Sequence, residues 1–124
     1  MDKYLLILLG GGVGSVLRYS LGVAVTQQIS SRFPLGTFLI NVSGSFLIGL
    51  LMGWFTYRPT VPVHWRLLLV TGFLGGFTTF SSFEWETYLA TKSGFGWIGF
   101  VYAASSVIFG YGAVWLGAFL AGER

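Results

Sequence analysis

The 124-residue chain contains no cysteine, one histidine and three prolines, and only 9% of its residues are charged. Without cysteine there is no disulfide framework and no thiolate chemistry. The single histidine, His64, lies beside Trp65 in a predicted loop, which argues against an imidazole-based metal site. The scarcity of charge excludes more. A soluble domain carries about 25% charged residues, so this chain lacks the groups to cover a water-facing surface. Its net charge of +3 is dispersed, with no basic run of the kind that holds nucleic acid. There is also no nucleophile–base pair, metal-ligand cluster or phosphate loop, so an enzyme is not expected.

What is present is apolar. Hydrophobic residues make up 54% of the chain, its mean hydropathy is +0.76, and it has 19 glycines. Glycine is commoner in membrane helices than in soluble ones. Residues 33–57, 67–83 and 93–122 carry no charge, and crossing the hydrocarbon takes about 20 apolar residues. Four spans are predicted, at about 4–27, 34–56, 66–90 and 95–121, forming one integral membrane domain over residues 1–124. The connections "SSRFPLG", "YRPTVPVH" and "TKSGFG" carry turn residues. The first span is expected to be permanent, because Arg18 interrupts its apolar run and no small-x-small cleavage site precedes a soluble domain.

An even number of spans puts both termini and the middle loop on one side. That side holds Lys3, Arg58, Arg66 and Arg124, while the other holds Arg32 and Lys92. The positive-inside bias is therefore weak, and such a chain can insert either way up. Four helices are too few to enclose a polar path and shield it from lipid. A homo-oligomer is the natural solution, and an antiparallel dimer is open to it.

The polar residues inside the spans have two readings each. Asn41, Ser45, Gly49 and Gly53 are spaced by four on one face of the second span, and Gly10 and Gly14 share that spacing in the first. Small residues at this period fit close helix packing. Asn41 either hydrogen-bonds a neighbouring helix or turns its amide N–H toward a passing anion. Its match to a glycosylation sequon is spurious at that depth. Arg18, well inside the first span, is either a vestibule cation that attracts anions or an interfacial anchor. Tyr102 and Ser106 share a face of the fourth span, as a polar track or as ordinary interhelical bonding.

The third span contains "LGGFTTFSSFEWE", residues 74–86. Gly72, Gly75 and Gly76 weaken a helix by about 1 kcal/mol each relative to alanine. Thr78, Thr79, Ser81 and Ser82 can bond their own backbone in competition with the helical ladder. A break near mid-span is expected, with either a kinked packing helix or freed carbonyls facing a monovalent cation as the outcome. Phe80 and Phe83 share a face, and their electropositive ring edges could receive an anion without a formal cation to trap it. Glu84 and Glu86 are expected to be solvated acids at the helix end.

The segments "GGGVGSVLRY" (10–19), "PLGTFLINVSGSFLIG" (34–49) and "TGFLGGFTTFSSFEWE" (71–86) resemble the CrcB/Fluc fluoride channels, across all four spans. The resemblance implies an all-α antiparallel, dual-topology homodimer in the bacterial inner membrane, with two pores that export fluoride passively from the cytoplasm. It implies that the Asn41 amide contacts fluoride and that Phe80 and Phe83 line the anion path. Thr79 and Ser81 would add hydroxyls to that path, and Tyr102 and Ser106 would form its polar track. Arg18 matches the first-helix arginine. Gly75 and Thr78 match the positions whose backbone carbonyls hold a structural sodium ion at the dimer interface. Glu84 departs from the common Ser-Thr-Phe-Ser pattern, Gly110 stands where some members carry a track serine, and Glu86 matches the family's acid. Two rival functions are a small dual-topology multidrug exporter, which needs a membrane-embedded carboxylate, and a structural subunit of a larger complex.

Overall fold

The computed structural model describes residues 2–122; Met1, Glu123 and Arg124, one of the cations in the charge bias, lie outside the described residues. The described chain folds into helices α1 (Lys3–Gln28), α2 (Leu35–Thr56), α3 (Val63–Arg66), α4 (Gly75–Phe77), α5 (Ser81–Lys92) and α6 (Gly96–Leu120). A π-helical segment, Leu67–Leu74, joins α3 to α4. Four stretches are long and apolar enough to cross a membrane: α1, α2, Val63–Lys92 and α6. The third starts at Val63 rather than Arg66. Pro62, with φ −58°, sits at the cap, where a missing N–H costs nothing, so His64 belongs to the first helical turn and not to a loop.

The third span breaks where its glycines do not. Gly72, Gly75 and Gly76 are all helical, and the helix opens at residues 78–80, with Thr78 extended at φ −83°, ψ 158°. The break expected near mid-span is therefore present, and it falls at the threonines that follow the glycine pair. Gly72 and Gly76, together with Gly14 of α1, serve close approach instead. A Cβ on Gly76 would overlap the Gly11 carbonyl, one on Gly14 the Phe73 carbonyl, and one on Gly72 would lie 3.0 Å from the Ile7 carbonyl. The backbones of α1 and the third span thus touch directly, as small residues in membrane helices allow. Gly49 and Gly117 do the same between α2 and α6, against the carbonyls of Val114 and Phe46.

Helix α2 packs along α6, α1 along the π-helical segment, and α5 against α6. The core is small: Ile40, Leu74 and Phe77, surrounded by Leu47, Ile48, Leu51 and Phe73. Large apolar side chains cover the outside, which is the arrangement lipid favours and water penalises. Trp54, Trp65 and Trp97 are exposed near span ends, as the interfacial aromatic belt requires. At one end Gly94, at φ +82°, closes α5 with bonds from Phe95 N–H to the Ala90 carbonyl and from Gly94 N–H to the Thr91 carbonyl. Phe95 then lies 4.2 Å below the Arg32 guanidinium, fastening the first loop to the last.

Candidate functional site

Three side chains from other helices hold the break open. Asn41 of α2 donates from Nδ2 to the Thr79 carbonyl at 2.9 Å, and its Oδ1 accepts the Thr79 N–H at 2.8 Å. That pair of bonds fixes which way the amide faces. From α1, Arg18 Nε donates to the Gly76 carbonyl at 3.0 Å, with the Ser15 hydroxyl at 3.5 Å from the same oxygen. Both readings of Asn41 therefore stay available to one side chain: one N–H bonds a neighbouring helix, and the second remains.

The consequence for the backbone follows by accounting for donors. In an unbroken helix the N–H of Thr79 would serve the Gly75 carbonyl; here it serves Asn41. Ser82 N–H would serve the Thr78 carbonyl; here it donates to Thr79 Oγ1 at 3.2 Å. The carbonyls of Gly75 and Thr78 are left without their helical donors. Thr78 itself back-bonds, with its hydroxyl 2.9 Å from the Leu74 carbonyl.

Two grooves flank this segment. One, of about 470 Å³, gathers Asn41, Thr78, Thr79, Phe80, Phe83 and Ser106, together with Gly75 and Ser45. Its described lining carries no ionisable side chain. Ser106 Oγ is buried there with no protein hydrogen-bond partner. Phe80, at the start of α5, is 73% exposed, while Phe83 is buried, and their ring centroids are 5.8 Å apart. The second groove, of about 690 Å³, runs from the first loop along α1 and α2 and is lined by Arg18, Thr37, Thr79, Ser82 and Glu86, among others.

The structure separates some residues that the sequence grouped. Tyr102, fully buried, lines neither groove; its ring packs edge-on to Phe83 at 5.1 Å and to Phe33 at 5.3 Å. Its hydroxyl donates to Glu86 Oε2 at 2.7 Å, while Thr37 donates to Oε1 at 2.7 Å. Glu86 is thus not the solvated helix-end acid expected: it ties α2, α5 and α6 together. Glu84 is exposed, as expected, and so is Ser81, which lines neither groove. Sequence reasoning missed Thr37 and Ser15. Thr37 lies four residues before Asn41, so extending the Asn41–Ser45 stripe by one turn reaches it.

The profile of the family described as "CrcB-like protein, Camphor Resistance (CrcB)" matches residues 5–118. A Solibacter usitatus protein named fluoride-specific ion channel FluC is 59% identical over 119 residues, covering 96% of this chain and 98% of its own. Proteins of the same name from Acidobacterium capsulatum and Caulobacter vibrioides (strain NA1000 / CB15N) are 45% and 43% identical, over 93% and 98% of this chain and 92% and 96% of their own. A profile match across nearly all four spans, with relatives this similar end to end, makes the chain a member of the CrcB family.

Proposed function

We propose that the chain is a fluoride-selective channel that lets fluoride leave the cytoplasm passively. The carrying observation is the groove beside the break, which gathers Asn41, Thr79, Phe80, Phe83 and Ser106 without an ionisable side chain. Fluoride holds its hydration tightly, so a pore must replace water with close donors. The remaining amide N–H of Asn41, the unpartnered Ser106 hydroxyl and the Phe80 and Phe83 ring edges are donors of that kind. None carries a full charge, which keeps binding weak enough for release. Arg18, in the adjoining groove, draws anions toward this path.

The working unit is an antiparallel homodimer in the bacterial inner membrane. A groove edged by an exposed Phe80 opens toward lipid, and a second copy is what would cover it. The weak charge bias permits opposed insertion. The dimer then carries two pores. Gly75 and Thr78 suit a monovalent cation at the two-fold centre, since both carbonyls have lost their helical donors and carbonyl oxygen is the ligand such an ion takes. A sodium ion held there would supply fixed positive charge and join the two subunits. The drug-exporter alternative needs a free embedded carboxylate, and both oxygens of Glu86 are engaged by hydroxyls. The test is flux from liposomes holding purified protein. Fluoride is expected to pass and chloride to be held back, with no proton gradient applied. Equal chloride flux, or no fluoride flux, would sink the reading.

A further inference from the structure

The two acids of α5 have opposite surroundings. Both oxygens of Glu86 are engaged by Thr37 and Tyr102, whereas Glu84 is exposed. Its neighbours one turn away are Phe80, Ser81, Thr87 and Tyr88, so no cation on its own helix stands at the spacing that pairs with it. Helices α6 and α2, which pack on α5, carry no charged residue. Glu84 nevertheless lies inside the third membrane stretch, which ends only at Lys92, about 12 Å further along the helix. A carboxylate bare to hydrocarbon at that depth is costly, and an ionisable side chain there marks a path for ions or water.

The face that carries Glu84 differs from the other exposed faces. Ser81, Glu84, Trp85, Tyr88, Thr91 and Lys92 are all exposed and follow one another at helical spacing, as a single stripe along α5. By contrast α1 exposes Leu8, Leu9, Val13 and Val16, and α6 exposes Val107, Ile108 and Phe109. Hydroxyls, charges and amphipathic rings in one stripe suit water, and the apolar faces suit lipid.

The stripe also leads somewhere. It starts at the Lys92 end of the stretch and finishes beside Phe80, the exposed ring at the edge of the groove that has no ionisable side chain. Glu84 stands one turn from that ring, its N–H 2.9 Å from the Phe80 carbonyl, and side chains at this spacing lie about 5–6 Å apart at Cβ. A formal negative charge there lowers the local concentration of anions at the groove edge without touching them.

We infer that the α5 stripe faces water in the assembled protein, and that the Glu84 carboxylate slows fluoride entry at the Phe80 edge by repulsion. The inference rests on the channel reading above and adds to it a rate-determining charge outside the grooves. Arg18 and Glu84 then act with opposite sign on the same ion.

The experiment uses the full-length protein in liposomes, with fluoride efflux read by an ion-selective electrode at about 10 mM and about 1 M of an impermeant salt. Glu84→Gln keeps the shape and removes the charge. It is expected to conduct about two- to fivefold faster than the parent at low salt, and like the parent at high salt, where the Debye length falls to about 3 Å. Because the chain has no cysteine, Glu84→Cys gives a single thiol for charged, membrane-impermeant methanethiosulfonates supplied on both sides. Glu84→Cys is expected to react, with Leu8→Cys on the apolar face of α1 as the unreactive control. A cationic adduct should speed efflux and an anionic one slow it. If Glu84→Cys does not assemble by gel filtration, Glu84→Gln decides through its salt dependence. The assignment is overturned if Glu84→Gln is no faster than the parent at low salt, or if its gain is the same at both salt levels. It is equally overturned if Glu84→Cys reacts no faster than Leu8→Cys, or if efflux ignores the sign of the adduct. A parent protein that passes no fluoride would overturn the channel reading itself, a distinct result, and thiol reactivity would still report whether the stripe is wet.

Discussion

Asn41 and Thr79 bond each other twice, side-chain amide against peptide, with Nδ2 2.9 Å from the carbonyl and Oδ1 2.8 Å from the amide nitrogen. The pairing is complementary in the way two amides are: each supplies one donor and one acceptor. It replaces the ladder bond that Thr79 forgoes, and so keeps a non-helical residue satisfied where water is scarce.

Asn41→Asp tests that complementarity. The carboxylate can still accept the Thr79 N–H, but its second oxygen would face the Thr79 carbonyl with no hydrogen between them. A loss of about 1–3 kcal/mol of stability is expected, read as a lower melting temperature in detergent and faster hydrogen exchange at the Thr79 amide. An unchanged exchange rate would mean the break is held by something else.

The glycines of α1 make a matched pair of controls. A Cβ on Gly14 would overlap the Phe73 carbonyl, whereas one on Gly12 meets nothing within 4 Å. Gly14→Ala is expected to cost several kcal/mol or prevent folding, because backbone cannot step aside as a side chain can. Gly12→Ala should elute and melt like the parent or slightly above it, by up to about 1 kcal/mol of helix propensity. Equal behaviour of the two variants in gel filtration and thermal melting would contradict the packing described.

Tyr102→Phe removes one hydroxyl from Glu86 and leaves the ring against Phe83 and Phe33 in place. The lost bond is to an acid and is expected to lower stability by about 1.5–3 kcal/mol. Thr37→Val should cost a similar amount from the other oxygen. Because both act on Glu86, the double variant should fall short of the sum of the two, a non-additivity that a thermal-melting cycle detects. Simple additivity would show that Glu86 does not link them.

Phe80→Ile keeps an apolar side chain at the groove edge and removes the ring edge. Fluoride flux is expected to disappear while the protein still assembles, as judged by liposome efflux and gel filtration. Unchanged flux would remove the aromatic edge from the proposed path.

The four spans were legible because charge is so sparse that its positions mark their ends. The packing glycines were legible too, since a period of four is a local signal. The break was legible near mid-span, but not which of its residues would open, for a physical reason. Glycine serves both loose backbone and close approach, and only the neighbouring helix decides between them; Gly76 faces the Gly11 carbonyl and so stays helical. Glu86 was misread because its partners, Thr37 and Tyr102, arrive from two other helices. Arg18 was legible as an anomaly within an apolar span, but not its use, which depends on a carbonyl 58 residues away in sequence.

Cutting the third span at residues 78–80 also gives the membrane interior two helix ends that an intact helix would have kept at its surfaces. The segment ending at Phe77 terminates in carbonyls, and its macrodipole places partial negative charge there; α5, starting at Ser81, begins with amides and partial positive charge. Only three residues separate these opposite poles. A single interruption therefore creates, back to back and without one formal charge, a pole that attracts cations and a pole that attracts anions. Restoring a continuous helix would erase both at once.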